Sequence, residues 1–135
     1  MLSRSAGGLA LFLLIQSPLS AEPLVPDTPI GVSDIEVVCT GTSLDAREDP
    51  RWNAYSLKIE FAGSGGHYLG GESVTLRRGD AVLFSGSCNG PWLLFRLPPG
   101  RYAVEANLDG QTVNSRAIVS AAGQARLVLR FAEAV

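Results

Sequence analysis

From Tyr55 onward the chain is a series of short runs in which apolar and polar residues alternate, broken by turn residues about every 8–12 positions. Alternation sends successive side chains to opposite faces of an extended strand, so each run has one apolar and one polar face. Tyr55, Leu57, Ile59 and Phe61 are expected on one face, opposite Ser56, Lys58 and Glu60. Val74 with Leu76, and then Val82 with Phe84, are expected to point inward. Trp92–Leu97 is apolar almost throughout, which predicts a central strand or a bulge. Tyr102, Val104, Ala106 and Leu108 alternate cleanly, Val113–Val119 returns, and Leu127, Leu129 and Phe131 face inward on a last strand. Gly79-Asp80, Asn89-Gly90-Pro91, Pro98-Pro99-Gly100 and Ala122-Gly123 read as turns. Asp109-Gly110 is the strongest hairpin signal, because both turn positions want positive φ.

Sheets with one apolar face each must stack on one another to hide it. Parallel pairing would need helical crossovers, for which the runs leave no room. The pattern therefore predicts an all-β fold, an antiparallel Greek-key β-sandwich of about seven strands with an irregular N-terminal segment. A chain of 135 residues has room for one such domain. The sandwich is expected over residues 53–135, after an extended segment over 22–52. Within that segment, residues 22–34 carry three prolines and no period, and Ile35–Cys39 suits a short strand. Thr42 to Asp45 has capping-box spacing, and a helical turn or two is expected before Pro50 stops it.

Residues 1–21 have the layout of a secretory signal peptide: Arg4, an unbroken apolar run from Leu9 to Ile15, then Pro18 and the small Ser20-Ala21. The run is too short to span a bilayer. The expected location is periplasmic or secreted, with no stable membrane insertion after cleavage. In an oxidising compartment the only two cysteines, Cys39 and Cys88, read as a structural disulfide. Closing a separation of 49 residues would contribute about 4 kcal/mol in the chain-entropy model. Two free buried thiols are the alternative reading. Redox chemistry is disfavoured, since there is no C-x-x-C and neither cysteine has a basic neighbour.

Tyr68-Leu69, Ser73-Val74-Thr75-Leu76, the stretch Leu97-Pro98-Pro99-Gly100-Arg101-Tyr102-Ala103-Val104 and Gly110 with a closing strand resemble the carboxypeptidase regulatory-like domain. Gly90-Pro91-Trp92-Leu93-Leu94, leading into that stretch, is similar to small exported bacterial proteins of the same kind. The resemblance covers residues 55–131 and implies a transthyretin-like sandwich and a non-catalytic accessory module. This chain departs from the family's setting in having no peptidase domain attached. The marker also has a plain folding logic. Pro98 and Pro99 stiffen the turn, Gly100 allows backbone angles that side chains forbid, and Tyr102 can bury its ring while its hydroxyl bonds to backbone.

The chemistry-bearing residues are sparse. His67 is the only histidine, in the loop GSGGHYLGG, and no G-x-S-x-G elbow is present to build a hydrolase around it. A hydrolase of purine breakdown shares the transthyretin-like fold, but it uses several His and Arg residues and a Tyr-Arg-Gly-Ser ending, whereas this chain ends Phe-Ala-Glu-Ala-Val. Asp45, Glu48 and Asp49 cluster as calcium ligands would, yet Arg47 and Arg51 lie among them. No metal or other cofactor is expected. Lys58 falls on the polar face, out of phase for a buried crosslink. A net charge of −2 lacks the basic footprint of a nucleic-acid binder. The leading expectation is an exported, non-enzymatic interaction module whose partner is another cell-envelope protein. The rivals are a carbohydrate or peptidoglycan binder using Trp52 and Tyr68, and a small hydrolase using His67.

Overall fold

The computed structural model describes residues 22–132, so the expected signal peptide lies outside the described residues. They form β1 (Glu22–Pro23), β2 (Ile30–Val32), β3 (Ile35–Thr40), β4 (Leu57–Gly63), β5 (Glu72–Arg78), β6 (Ala81–Cys88), β7 (Trp92–Arg96), β8 (Gly100–Leu108), β9 (Gln111–Val119) and β10 (Ala125–Phe131). A short helix α1 (Leu44–Arg47) and a 3₁₀ helix (Pro50–Ala54) lie between β3 and β4. The strands make two five-stranded sheets. The first runs β1-β6-β5-β8-β9 and the second β10-β4-β7-β3-β2.

The fold is an all-β sandwich, as the alternation requires, but its sheets are mixed rather than antiparallel. β10 pairs parallel with β4 along seven residues, from Ala125↔Leu57 to Phe131↔Gly63. β1 pairs parallel with β6. No helical crossover is needed, because the chain between β4 and β10 travels through the other sheet. The strands of one layer thus serve as the crossover for the next.

The N-terminal segment departs from its expected role outside the sandwich. β3 lies inside the second sheet, between β2 and β7, and Leu24 is buried in the core. The prolines of residues 22–34 do not prevent this, since β1 and β2 are edge strands, where a missing N–H does little harm. Ser43, rather than Thr42, caps α1, accepting from the Ala46 N–H at 3.0 Å. Pro50 begins a helix instead of ending one, with Asp49 as its cap.

Alternation places most of the core correctly. Leu57, Ile59, Phe61, Val74, Leu76, Phe84, Tyr102, Val104 and Ala106 meet between the sheets. Phe84 of the first sheet packs edge-on against Phe95 of the second, ring centres 5.3 Å apart. Cys39 and Cys88 form a disulfide that ties β3 to β6 and so joins the layers. Two expected inward residues face elsewhere. A register shift between Leu76 and Arg77 turns Val82 out, leaving it 55% exposed. Tyr55 precedes β4 as the C-cap of the 3₁₀ helix and packs on the opposite side of the second sheet.

Candidate functional site

The outer face of the second sheet sets Trp52, Tyr55, Tyr68 and Trp92 among charged side chains. Its central strand β7 has neighbours on both sides, and Trp92–Phe95 are all buried. Leu93 and Phe95 point to the core, while Trp92 and Leu94 point outward. With Val38, Trp52 and Tyr55 they make a second apolar cluster. The cover comes from the segment joining β3 to β4. Trp52 is 3% exposed, and its Nε1 donates to the Ala46 carbonyl at 2.7 Å. Gln124, just before β10, donates its amide to the Trp52 and Tyr55 carbonyls at 2.9 and 3.0 Å, pinning the cover to the sheet.

Each outer aromatic ring carries a cation. The Lys58 Nζ lies 4.1 Å from the Trp92 ring centre. Arg51 lies 4.6 Å over Trp52, Arg96 4.6 Å over Tyr55, and Arg47 4.9 Å over Tyr68. Such long side chains lay their stems on apolar surface and keep the charge wet. Tyr68 meets Trp92 edge-on at 6.2 Å. The backbone at Gly41 lies against the indole: a Cβ there would sit 2.8 Å from Trp92, and φ is +94°. The Trp92 Nε1 is buried with no partner among the described residues.

Two carboxylates organise this face. Glu60, 3% exposed, accepts from Arg126 at 2.6 and 3.0 Å and from the Tyr68 hydroxyl at 3.3 Å, with the Lys58 Nζ also 3.3 Å away. Burial pushes its pKa up, but Arg126 and Lys58 together more than reverse this and leave it below the ordinary value. Glu36 accepts from the Tyr55 hydroxyl and from Arg96, which hold it low. Burial, then Glu36, pushes the Tyr55 phenol up to about 12.

The two aromatic candidates are separated by this arrangement. Trp52 is a buried pin, whereas Tyr68 is 39% exposed at the rim. Sugar stacking needs an open ring face, which Trp52, Tyr55 and Trp92 do not offer, all being 8% exposed or less. Pro98, Pro99 and Gly100 form the turn from β7 into β8, and the Tyr102 hydroxyl donates back to the Pro98 carbonyl at 2.5 Å. Arg78 packs over this turn, donating to the Pro99 carbonyl at 3.4 Å, and would clash with a Cβ on Gly100. His67 lies in the exposed loop between β4 and β5, where its carbonyl accepts from the Gly63 N–H at 2.9 Å. Asp49 caps the 3₁₀ helix and pairs with Arg51 at 2.8 Å. No three His, Cys, Asp or Glu side chains among the described residues are grouped to hold a metal ion.

Sequence reasoning overlooked Glu72. It is 0% exposed at the start of β5, opposite Cys88, and neither carboxyl oxygen has a hydrogen-bond partner among the described residues. Burial pushes its pKa up to about 8. The missed signal is its phase: positions 72, 74 and 76 alternate, so the inward face of the strand begins at Glu72, one residue before the run read from Ser73.

No protein-family model matches this chain, and no curated protein matches it.

Proposed function

We propose that the protein is an exported, non-catalytic interaction module, periplasmic or secreted, that binds another protein of the cell envelope through the edge of a β-sheet. The sandwich is read as Greek-key and transthyretin-like, of the carboxypeptidase regulatory-like kind. The observation that carries the reading is β9, a nine-residue strand with no strand pairing on its outer side among the described residues. An extended segment of a partner can add to such an edge through main-chain hydrogen bonds. Support also comes from three carboxylates of the outer faces, which are engaged by neighbouring cations. Glu60 is held by Arg126 and Lys58, Glu36 by Arg96, and Glu105 by Arg77 at 3.1 Å.

The test is a photo-reactive residue in place of Ile118, which is 70% exposed on β9, compared with one in place of Val82, 55% exposed on β6. In the native cell envelope, the first position is expected to give one defined adduct and the second none. No adduct from position 118, or equal labelling at both, would remove the edge as the contact surface.

A second reading, glycan binding at Tyr68, is favoured by its 39% exposure and its contact with Trp92. Binding there should shift tryptophan fluorescence, and a broad oligosaccharide panel without a shift would dismiss it.

A further inference from the structure

The first sheet turns Leu76, Tyr102 and Val104 into the core. The residues between them point to the open side: Arg77 on β5, and Arg101, Ala103 and Glu105 on β8. On β9 the buried Ala117 puts Asn114 and Arg116 out of phase with it or beside it on that same open side, where both are exposed. The ladder sets Ala103 directly between Arg77 and Arg116. Neighbouring strands lie about 4.8 Å apart, so the two arginines leave the sheet about 10 Å from each other, on either side of one methyl group. Arg101 rises from the same face of β8, about 7 Å along the strand from Ala103. Two hollows adjoin over Ala103. One, of about 200 Å³, lies among Arg77, Glu105, Asn114 and Arg116. The other, of about 250 Å³, lies between Arg101 and Arg116.

These arginines differ from the basic residues of the second sheet. There Arg47, Arg51, Lys58 and Arg96 lie over rings, and Arg126 holds Glu60. The side chains of Arg101 and Arg116 make no ion pair, hydrogen bond or ring contact among the described residues. Arg77 gives Glu105 a single bond, from Nη1 at 3.1 Å, which steadies the guanidinium and leaves its other N–H groups available. The chain as a whole carries −2, yet here three arginines stand against one glutamate, a local surplus of two positive charges.

We propose that this surface binds a phosphate monoester carried on a sugar, with the phosphate over Ala103 among Arg77, Arg101 and Arg116 and the sugar hydroxyls toward Glu105 and Asn114. Guanidinium donors on three sides match a group with three terminal oxygens, which a phosphate monoester has and a carboxylate or a phosphodiester lacks. The monoester carries about −1.5 to −2 at pH 7, close to the local surplus, whereas a sulfate monoester carries only one charge. Three arginines are too few to follow a nucleic-acid backbone. The Glu105 carboxylate accepts hydrogen bonds, and the Asn114 amide both donates and accepts, as sugar hydroxyls require. The site lies on the face of the sheet and does not depend on the contact assigned to its edge.

The test is a titration of the intact protein with glucose 6-phosphate at low salt, followed by the Ala103 methyl resonance in NMR spectra of alanine-labelled protein. The shift is expected to saturate with a Kd below about 1 mM. Inorganic phosphate should bind about tenfold more weakly, and glucose should leave the resonance in place. Arg101→Ala and Arg116→Ala, both at exposed positions, should each weaken the complex about tenfold with an unchanged melting temperature. Glu105→Gln should remove the preference for glucose 6-phosphate over inorganic phosphate. Arg130→Ala on β10 removes one positive charge elsewhere and should leave the affinity as it was. The absence of a saturable shift, or an equal loss from Arg130→Ala, would overturn the site. Equal affinity for inorganic phosphate in the unaltered protein would overturn the sugar as carrier. Binding to vesicles containing phosphatidic acid, with no shift from glucose 6-phosphate, would overturn the sugar in favour of a lipid headgroup. An adduct of another protein from position 118 bears on the sheet edge alone, so the two readings fail separately.

Discussion

Two glutamates in this protein are buried to nearly the same degree and differ in charge. Glu60, 3% exposed on the outer face of the second sheet, is surrounded by Arg126, Lys58 and Tyr68 and is held ionised. Glu72, 0% exposed between the sheets, has no partner for its carboxyl oxygens among the described residues and is held protonated up to about pH 8. Desolvation acts on both, and only the first has cations to reverse it. The sheets that carry them differ in the same way. The first sheet leaves a polar face in water. The second hides both faces and needs a cover, in which cations lie over the rings with their charged ends toward solvent. A carboxylate can be buried beneath such a layer because long basic side chains reach it from outside, which the apolar interior does not allow.

The largest effect is expected at Glu72. Its native pKa of about 8 exceeds the ordinary 4.5, so the folded chain holds a proton that the unfolded chain has lost. Its contribution is full below about pH 4.5 and is lost as pH rises through about 8, some 5 kcal/mol in all. The melting temperature should fall between about pH 5 and 8.5, and Glu72→Gln should flatten that fall. An unchanged slope in the variant would show that Glu72 is not the titrating group. Glu60 gives the opposite sign. Its contribution is present above the ordinary value and is lost as pH falls through its lowered one.

Trp52→Ala tests the cover. It removes a ring that is 3% exposed and packs with Val38 and Leu94, and should cost about 3–4 kcal/mol in urea unfolding. Ile118→Ala, at 70% exposure, should change monomer stability by less than about 0.5 kcal/mol. Similar values for the two would erase the distinction between a covered face and an open one. A smaller effect than at Trp52 is expected from the Glu60–Arg126 pair. The Arg126 side chain is 62% exposed, so a double-mutant cycle should give a coupling of only about 1 kcal/mol. A coupling near zero would assign the ionisation of Glu60 to Lys58 alone.

Much of this was legible in the residues themselves. The Asp109-Gly110 turn sets the β8–β9 register, and the apolar run at Trp92–Leu97 marks the strand with neighbours on both sides. The lone cysteine pair is the disulfide. What stayed hidden depends on distant parts of the chain. Alternation identifies two faces of a strand but not what covers the polar one, so it places Tyr55 in the core although the residue belongs to the outer cluster. The shift at Leu76/Arg77 leaves no mark in composition, and it moves Val82 to the surface. The parallel pairing of β4 and β10 joins segments more than sixty residues apart, which no local period encodes. Of the candidate site, Tyr68 could be named from sequence. The cations over the rings could not, because their positions depend on strand order.

The pairing of β4 with β10 also has a consequence in time. The partner of Leu57 is Ala125, so one flank of β4 stays vacant until nearly the whole described chain has been made. Closing so distant a contact late makes for slow acquisition of structure, with a hydrophobic ribbon open to wrong neighbours in the interval. A truncation before residue 125 would make that interval permanent.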